Sequence, residues 1–306
     1  MDLPIVVLKQ TLVMAVYLAT GLILTKTGII TKEGSKSMSS LLIYFILPFT
    51  ILNSLCIPFT EEKFAQFFIS GGLAILSLAI SLGCGFLIFR KSPIDNIAVS
   101  FPNAGFIGLP LVSACLGGEA GFFVIPLMAL VNVFQWGTST KLFNKNQKLD
   151  FLKIAKSPIV LTAVLGVVIF SLKLGDKIPG IISTALHGVA QTNSPIAMIV
   201  LGTYLADVDV KTLFSSVRVY VVCLLRLIAM PLLILAAFLF IPCDNTIKLS
   251  VFIAASASVG SNVAVYAREY GEDYAYASKE VVFSTVLSVL TLPLMTMLMQ
   301  YFLSLV

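Results

Sequence analysis

The sequence predicts an all-α polytopic membrane protein with ten transmembrane helices in two inverted five-helix repeats. The first observation is composition: of the 306 residues, 58% are hydrophobic and only 11% are charged, whereas a soluble protein is about half apolar and a quarter charged. The second is that the charges leave long windows with none. The third is that Lys and Arg concentrate in alternate loops, which is typical of membrane proteins.

The charge-free windows define the spans, because about 20 apolar residues cross the hydrocarbon core of a bilayer. A flanking Lys or Arg extends a shorter window by reaching the interface. The ten predicted spans are approximately 5–25, 37–56, 64–89, 95–116, 120–140, 157–174, 181–206, 214–241, 248–267 and 278–303. We therefore expect one transmembrane domain over 1–306, and we expect the first span to be retained, since no cleavage motif follows it.

The basic residues predict the orientation. Most of the 20 Lys and Arg residues fall in the odd-numbered loops, above all in the loop 141–156 between spans 5 and 6. These loops are predicted to be cytoplasmic, with both termini outside the cytoplasmic membrane. The same loop divides the chain into repeats of about 1–150 and 151–306 that begin on opposite sides of the membrane, as in inverted-repeat transporters. The net charge of +5 thus reflects topology, and no nucleic-acid partner is expected.

Two spans carry polar interruptions near their middle. Span 4 contains "SFPNAGFIGLPL", in which Pro102 and Pro110 are predicted to break the helix, and span 9 contains "ASASVGSN" around Gly260. A broken helix is tolerated at membrane depth only against protein or a water-filled cavity. Two such breaks in matching positions of two halves indicate a binding site near the midplane.

The expected ligand of this site is a small organic carboxylate. Half-helices that begin after about Asn103 and Ser261 would present free N–H groups and a partial positive charge, and the amides of Asn103 and Asn262 would add donors. Such an arrangement favours an anion. The alternative for each span alone is a simple proline kink, with serines bonded to their own backbone. The predicted substrate-binding residues are Asn103, Asn262, Ser261, Ser258, Gly260 and Gly105.

The same segments resemble a known family. "PNAGFIGLPLV" resembles the fourth-helix segment Asn-x-Gly-Phe-x-Gly-x-Pro of the auxin efflux carriers, and "SNVAVYAREYG" is similar to the ninth-helix segment of that family. "LPFTILNSL", "IVLGTYLA", "LLRLIAMPLL" and "FSTVLSVLTLPLM" also fit, in the same order. The family includes plant auxin carriers and bacterial relatives of the malate or malonate permease type, and the short middle loop resembles the bacterial members.

The resemblance implies ten helices in inverted repeats, with helices 4 and 9 broken where they cross. It implies substrate binding at that crossing, with Asn103 and Asn262 as donors, and it admits a homodimer. One departure is Ser258, which stands where relatives usually have a proline before the second break. The bilayer and a small organic carboxylate are therefore the expected partners.

Further polar residues within spans are candidates for the cavity or for a counter-charge to the substrate. Arg226 lies near the middle of span 8, where an unpaired arginine is costly; it could face the substrate or bind carbonyls freed at a break. The other candidates are Asn193, Thr192, Asn53 and Asn132. The Asp and Glu residues fall in or beside loops, so no carboxylate proton relay is predicted at the midplane.

Other classes of function fit less well. An intramembrane aspartyl protease needs two acids within spans, and a serine protease needs a suitably placed histidine, for which His187 offers no motif. The five cysteines lack metal-ligand spacing, so we expect no metal, no cofactor and no enzyme. The expected function is a secondary transporter that exports carboxylate anions. A sodium-coupled organic-anion symporter of the bile-acid type is the alternative, and sodium dependence would separate the two.

Overall fold

The structure, a computed structural model, describes residues 3–144, 150–208 and 216–305, which are helical apart from connecting turns and one isolated β-bridge. In chain order the helices are α1 (Leu3–Lys26), α2 (Lys32–Leu55), α3 (Glu61–Ile88), α4 (Pro93–Ser100), α5 (Ala104–Leu116), α6 (Gly118–Phe143), α7 (Phe151–Ala155), α8 (Pro158–Ser171), α9 (Gly180–Gln191), α10 (Asn193–Asp207), α11 (Val217–Leu239), α12 (Asn245–Ala255), α13 (Asn262–Glu269) and α14 (Tyr274–Leu303). The residues Gly118–Val124 of α6 and the separate turn Gly175–Lys177 are 3₁₀-helical.

Six helices in the described part of the chain, α1, α2, α3, α6, α11 and α14, are long and apolar enough to cross a membrane by length and composition. Helices α5, α8 and α12 are shorter apolar helices. The prediction of an all-helical chain with several membrane spans is confirmed. The arrangement as ten spans in two inverted repeats stays a prediction.

Three helices contain a wide π-helical turn directly before a proline. In α2, α5 and α11 the residue before the proline donates its N–H to the carbonyl five positions earlier: Leu47 to Leu42, Leu109 to Ala104 and Met230 to Leu225. The wide turn accommodates a proline that lacks a backbone donor and would otherwise clash with the preceding turn.

The structure therefore corrects one helix break. Pro110 was expected to interrupt span 4 together with Pro102, but α5 continues through Pro110 to Leu116. The π-turn over Ala104–Gly108 explains the difference.

Helices α1 and α10 pack closely through glycines. A Cβ atom added at Gly21 would overlap the carbonyl oxygen of Ile199, and one added at Gly202 would overlap the carbonyl oxygen of Leu18. Small residues of this kind allow helix backbones to approach in a membrane, where association depends on packing.

The segments that contain backbone interruptions are surrounded by protein. Residues 94–104 and 250–261 are continuously buried, whereas α1 and α3 have many exposed apolar side chains. This burial is what a non-helical backbone requires at membrane depth, because lipid offers no hydrogen-bonding partners.

Candidate functional site

The non-helical residues that follow α4 contact those that follow α12. The N–H of Asn103 donates to the carbonyl of Ser258 at 2.8 Å, and the N–H of Gly260 donates to the carbonyl of Phe101 at 3.1 Å. These two bonds flank an antiparallel bridge between Pro102 and Val259. Each interruption thus satisfies backbone groups of the other.

Arg226 binds carbonyl groups at the ends of both helices that enter this contact. Its Nε donates to the carbonyl of Ala257 at 3.1 Å, its Nη1 to that of Val99 at 3.1 Å, and its Nη2 to that of Ala255. The side chain is fully buried. Because helix C-termini carry partial negative charge, the guanidinium compensates the ends of α4 and α12 together.

Side chains of two further helices, α14 and α10, form hydrogen bonds with the two interruptions or with the residues next to them. Ser284 Oγ accepts a bond from the N–H of Val259 at 3.1 Å, and Thr285 Oγ1 lies 3.2 Å from Ser258 Oγ. Asn193 Nδ2 donates to the carbonyl of Gly105 at 3.3 Å. Side chains from two neighbouring helices therefore bind groups at or next to both interruptions.

A cavity of about 610 Å³ opens beside this contact, a size within the usual range for small-molecule sites. Its wall contains the first residues of α5 and α13 and part of α6, and it extends to the segment 150–159 that follows the basic loop. Its polar and glycine lining near the interruptions consists of Asn103, Gly105, Asn132, Gln135, Gly260, Ser261 and Asn262.

In the part of the chain that the structure describes, two amide groups in this wall have hydrogens without an acceptor. Asn103 Oδ1 accepts a bond from the N–H of Phe106 at 3.3 Å, while its buried Nδ2 has no partner among these residues. Asn262 Nδ2 donates to Gln135 Oε1 at 3.2 Å, which leaves the buried Gln135 Nε2 without an acceptor. Leaving a buried donor unsatisfied costs about 1–3 kcal/mol, so an acceptor group in the cavity would be stabilised here.

Two glycines of the cavity wall, Gly260 and Gly105, have no space for a side chain without displacing a neighbour. A Cβ atom at Gly260 would lie 3.3 Å from the carbonyl oxygen of Phe101 and 3.4 Å from Gln135 Nε2. At Gly105 it would lie 3.2 Å from Leu47 Cδ2 and 3.3 Å from Met128 Cε. A larger residue at either position would press on the interruption or on a neighbouring side chain.

The structure brings most of the predicted substrate-binding residues to one cavity. Those that line it are Asn103, Asn262, Ser261, Gly260 and Gly105; Pro102, predicted as a helix break, and Asn132, predicted as a cavity residue, line it too. Ser258 differs: it is fully buried against Thr285, outside the cavity lining.

Four residues considered for the cavity or a counter-charge lie elsewhere. Arg226 and Asn193 are buried and bind backbone carbonyls. Thr192 is exposed and bonds to the carbonyl of Val189, and Asn53 is half-buried. None of the four is in the cavity lining that the described residues form.

Sequence reasoning missed the burial of two acids, Asp95 and Glu280, which are both fully buried. Both stand at the edges of the charge-free windows, which predict a position on the loop side of spans 4 and 10. A signal was available in α14, where Tyr276, Glu280, Ser284 and Ser288 recur every four residues and so share one helix face.

Comparison with protein families gives a match over most of the chain. The model of a family described as membrane transport protein matches residues 6–151 and 142–296. Comparison with curated proteins gives no match.

Proposed function

Because the chain belongs to the membrane transport protein family that includes the auxin efflux carriers, we propose that it carries small organic carboxylate anions across the cytoplasmic membrane. Malate-like, malonate-like and auxin-like anions are the substrate class, and they bind in the cavity beside Asn103 and Asn262. A membrane transporter of this family is generally not an enzyme.

The observation that supports an anionic substrate is the pair of unpartnered amide donors, Asn103 Nδ2 and Gln135 Nε2. They lie in the cavity wall where α5 and α13 begin, and helix N-termini carry partial positive charge. The opposite helix ends, those of α4 and α12, are already compensated by Arg226. The helix ends that face the cavity therefore present hydrogen-bond donors and partial positive charge.

The proposed architecture is ten spans in two inverted five-helix repeats. Helices α4 and α5 make the fourth span and α12 and α13 make the ninth, and each is broken where the two cross. The basic loop 141–156 is cytoplasmic and both termini are outside, so the cavity, which reaches residues 150–159, opens toward the cytoplasm. Two copies associate as a homodimer.

The direction of transport follows from the charge that moves. A monoanion that leaves a negative interior without a coupled cation gains about 2.3 kcal/mol per 100 mV, which corresponds to a gradient of about fifty-fold. An uncoupled carrier of such an anion therefore exports it.

The test is flux of labelled malate, malonate and an indole carboxylate in proteoliposomes. A membrane potential is imposed while sodium and proton gradients are absent, and empty liposomes are the control. Flux that follows the potential supports an anion carrier. No flux of any of the three, with or without added gradients, would contradict the proposed substrate class, and flux only with a sodium gradient would favour the symporter.

A further inference from the structure

A cluster of ionisable side chains lies outside the cavity, where α4, α11 and α14 meet. Asp95 of α4 and Glu280 of α14 are both fully buried, and Arg218 and Tyr276 lie beside them. None of the four lines the cavity among the described residues.

Asp95 is fully paired as a carboxylate. Its Oδ1 accepts a bond from the hydroxyl of Tyr276 at 2.8 Å, and its Oδ2 accepts one from Arg218 Nε at 2.5 Å. Arg218 also donates to the hydroxyl of Ser92. The positive charge of Arg218 is thus already bound to one carboxylate.

Within the described part of the chain, neither buried carboxyl oxygen of Glu280 has a hydrogen bond of ordinary geometry. Asp95 and Tyr276 lie close enough to influence its protonation, but the hydroxyl of Tyr276 already donates to Asp95. Among the described residues, the titratable groups that face it are Tyr276 on its own helix, Asp95 from α4, and Arg218 and Cys223 from α11. A buried carboxylate without donors is strongly disfavoured, and the negative charge of Asp95 disfavours it further. The cluster therefore accommodates one negative charge and one proton.

Each acid lies one helical turn before a residue that takes part in the contacts around the two interruptions. Asp95 precedes Val99, whose carbonyl binds Arg226. Glu280 precedes Ser284, whose hydroxyl binds the N–H of Val259. One helical turn on each side thus connects the acid pair to the two interruptions.

We propose that Glu280 is a proton-binding site, and that proton binding there and anion binding in the cavity favour each other. The second part rests on the proposed function. Its physical basis is that a proton removes a negative charge near the crossing and so lowers the repulsion that an entering anion meets. The proton leaves the Glu280 carboxyl to water near Arg218, whose side chain is 53% exposed, and returns by the same route.

The first test measures the affinity for malonate of the purified protein in nanodiscs as a function of pH, above the range in which malonate itself titrates. In the wild type the affinity should rise as the pH falls, by up to about tenfold per pH unit for one linked proton. Glu280→Gln, which imitates the protonated form, should bind malonate with the low-pH affinity at every pH. Glu61→Gln, at an exposed position, is the matched control and should behave as the wild type. A pH-independent wild type, or a Glu280→Gln variant that keeps the wild-type slope, would overturn the linkage.

The second test needs no anion and follows the infrared band of a protonated carboxyl during a pH titration. The wild type should show a band that Glu280→Gln lacks. Asp95→Asn, which removes the neighbouring negative charge and frees Arg218, should lose its band at lower pH than the wild type. If no band depends on Glu280 in either background, the proton site is excluded. If the band is present while no carboxylate binds, the proton site stands and the proposed substrate class fails.

Discussion

The backbone N–H of Asn103 donates to the carbonyl of Ser258 at 2.8 Å, so one residue that caps a helix at the cavity also fastens the two interruptions together. Its side-chain Oδ1 accepts a bond from the N–H of Phe106, while Nδ2 has no partner among the described residues and is the donor proposed to bind the substrate. Substitutions at this position can separate the structural role from a role in binding.

Asn103→Asp should keep the helix cap but abolish carboxylate transport. Aspartate is also a good N-cap residue, yet it replaces the free donor with a negative charge that repels an anion. Asn103→Ala should reduce flux by about tenfold or more, since a hydrogen bond to a charged group contributes about 1.5–3 kcal/mol.

The measurement is flux in proteoliposomes at equal amounts of folded protein. Asn53→Ala is the matched control, because Asn53 lies in α2 outside the cavity lining and its loss should leave flux near the wild-type value. Wild-type flux in Asn103→Asp would show that this amide does not contact the substrate.

Arg226→Lys should destabilise the protein rather than change its substrate affinity. Lysine keeps the charge, but its compact ammonium cannot reach the three carbonyls of Val99, Ala255 and Ala257 that the guanidinium binds. A hydrogen bond to a charged group contributes about 1.5–3 kcal/mol, so the loss of one or two of these bonds should lower the unfolding temperature.

Thermal unfolding in detergent checks this, with Arg268→Lys at an exposed position as the control. If Arg226→Lys unfolds like the wild type but binds the anion more weakly, Arg226 acts on the substrate and the structural assignment is wrong.

The sequence predicted the long helices at the two ends of the chain, but not the direction in which the polar residues of the interrupted segments point. Charge-free windows predict α1 and α14 to within a few residues because hydrocarbon excludes unpaired charge. The windows could not show that Arg226 reaches carbonyls on two helices distant in sequence, or that Ser258 turns away from the cavity while Ser261 lines it. Those outcomes depend on the contact between two irregular segments, where helical periodicity no longer applies.

The burial of Glu280 was missed for a different reason. When spans are defined by the absence of charge, every acidic residue falls at the boundary of a span, even if its side chain is buried in the protein. The four-residue spacing of Tyr276, Glu280 and Ser284 is independent of that definition and predicts one polar face on α14.

Gly21→Ala should impair folding, since the added methyl group would overlap the carbonyl oxygen of Ile199 on α10. Gly72→Ala in α3 is the control: nothing lies within 4 Å of the added Cβ, and alanine favours the helix by about 1 kcal/mol. The yield of monodisperse protein and the unfolding temperature should fall for Gly21→Ala and be unchanged or higher for Gly72→Ala. Equal behaviour of the two variants would contradict the close packing of α1 and α10.

The proposed orientation of the chain in the membrane predicts from which side the cavity is reached. In a background without the five native cysteines, which are all free thiols, Asn132→Cys should react with a membrane-impermeant maleimide only from the cytoplasmic side. The reason is that Asn132 shares the cavity wall with residues 150–159, which follow the basic loop. Glu61→Cys, at the start of α3 in a loop predicted to be external, should react from the other side.

Bound carboxylate should slow labelling at Asn132→Cys and leave Glu61→Cys unaffected, because only the first thiol lies in the proposed binding cavity. Reaction of Asn132→Cys from the outside alone would invert the proposed topology, and labelling that the anion leaves unchanged would place the substrate elsewhere.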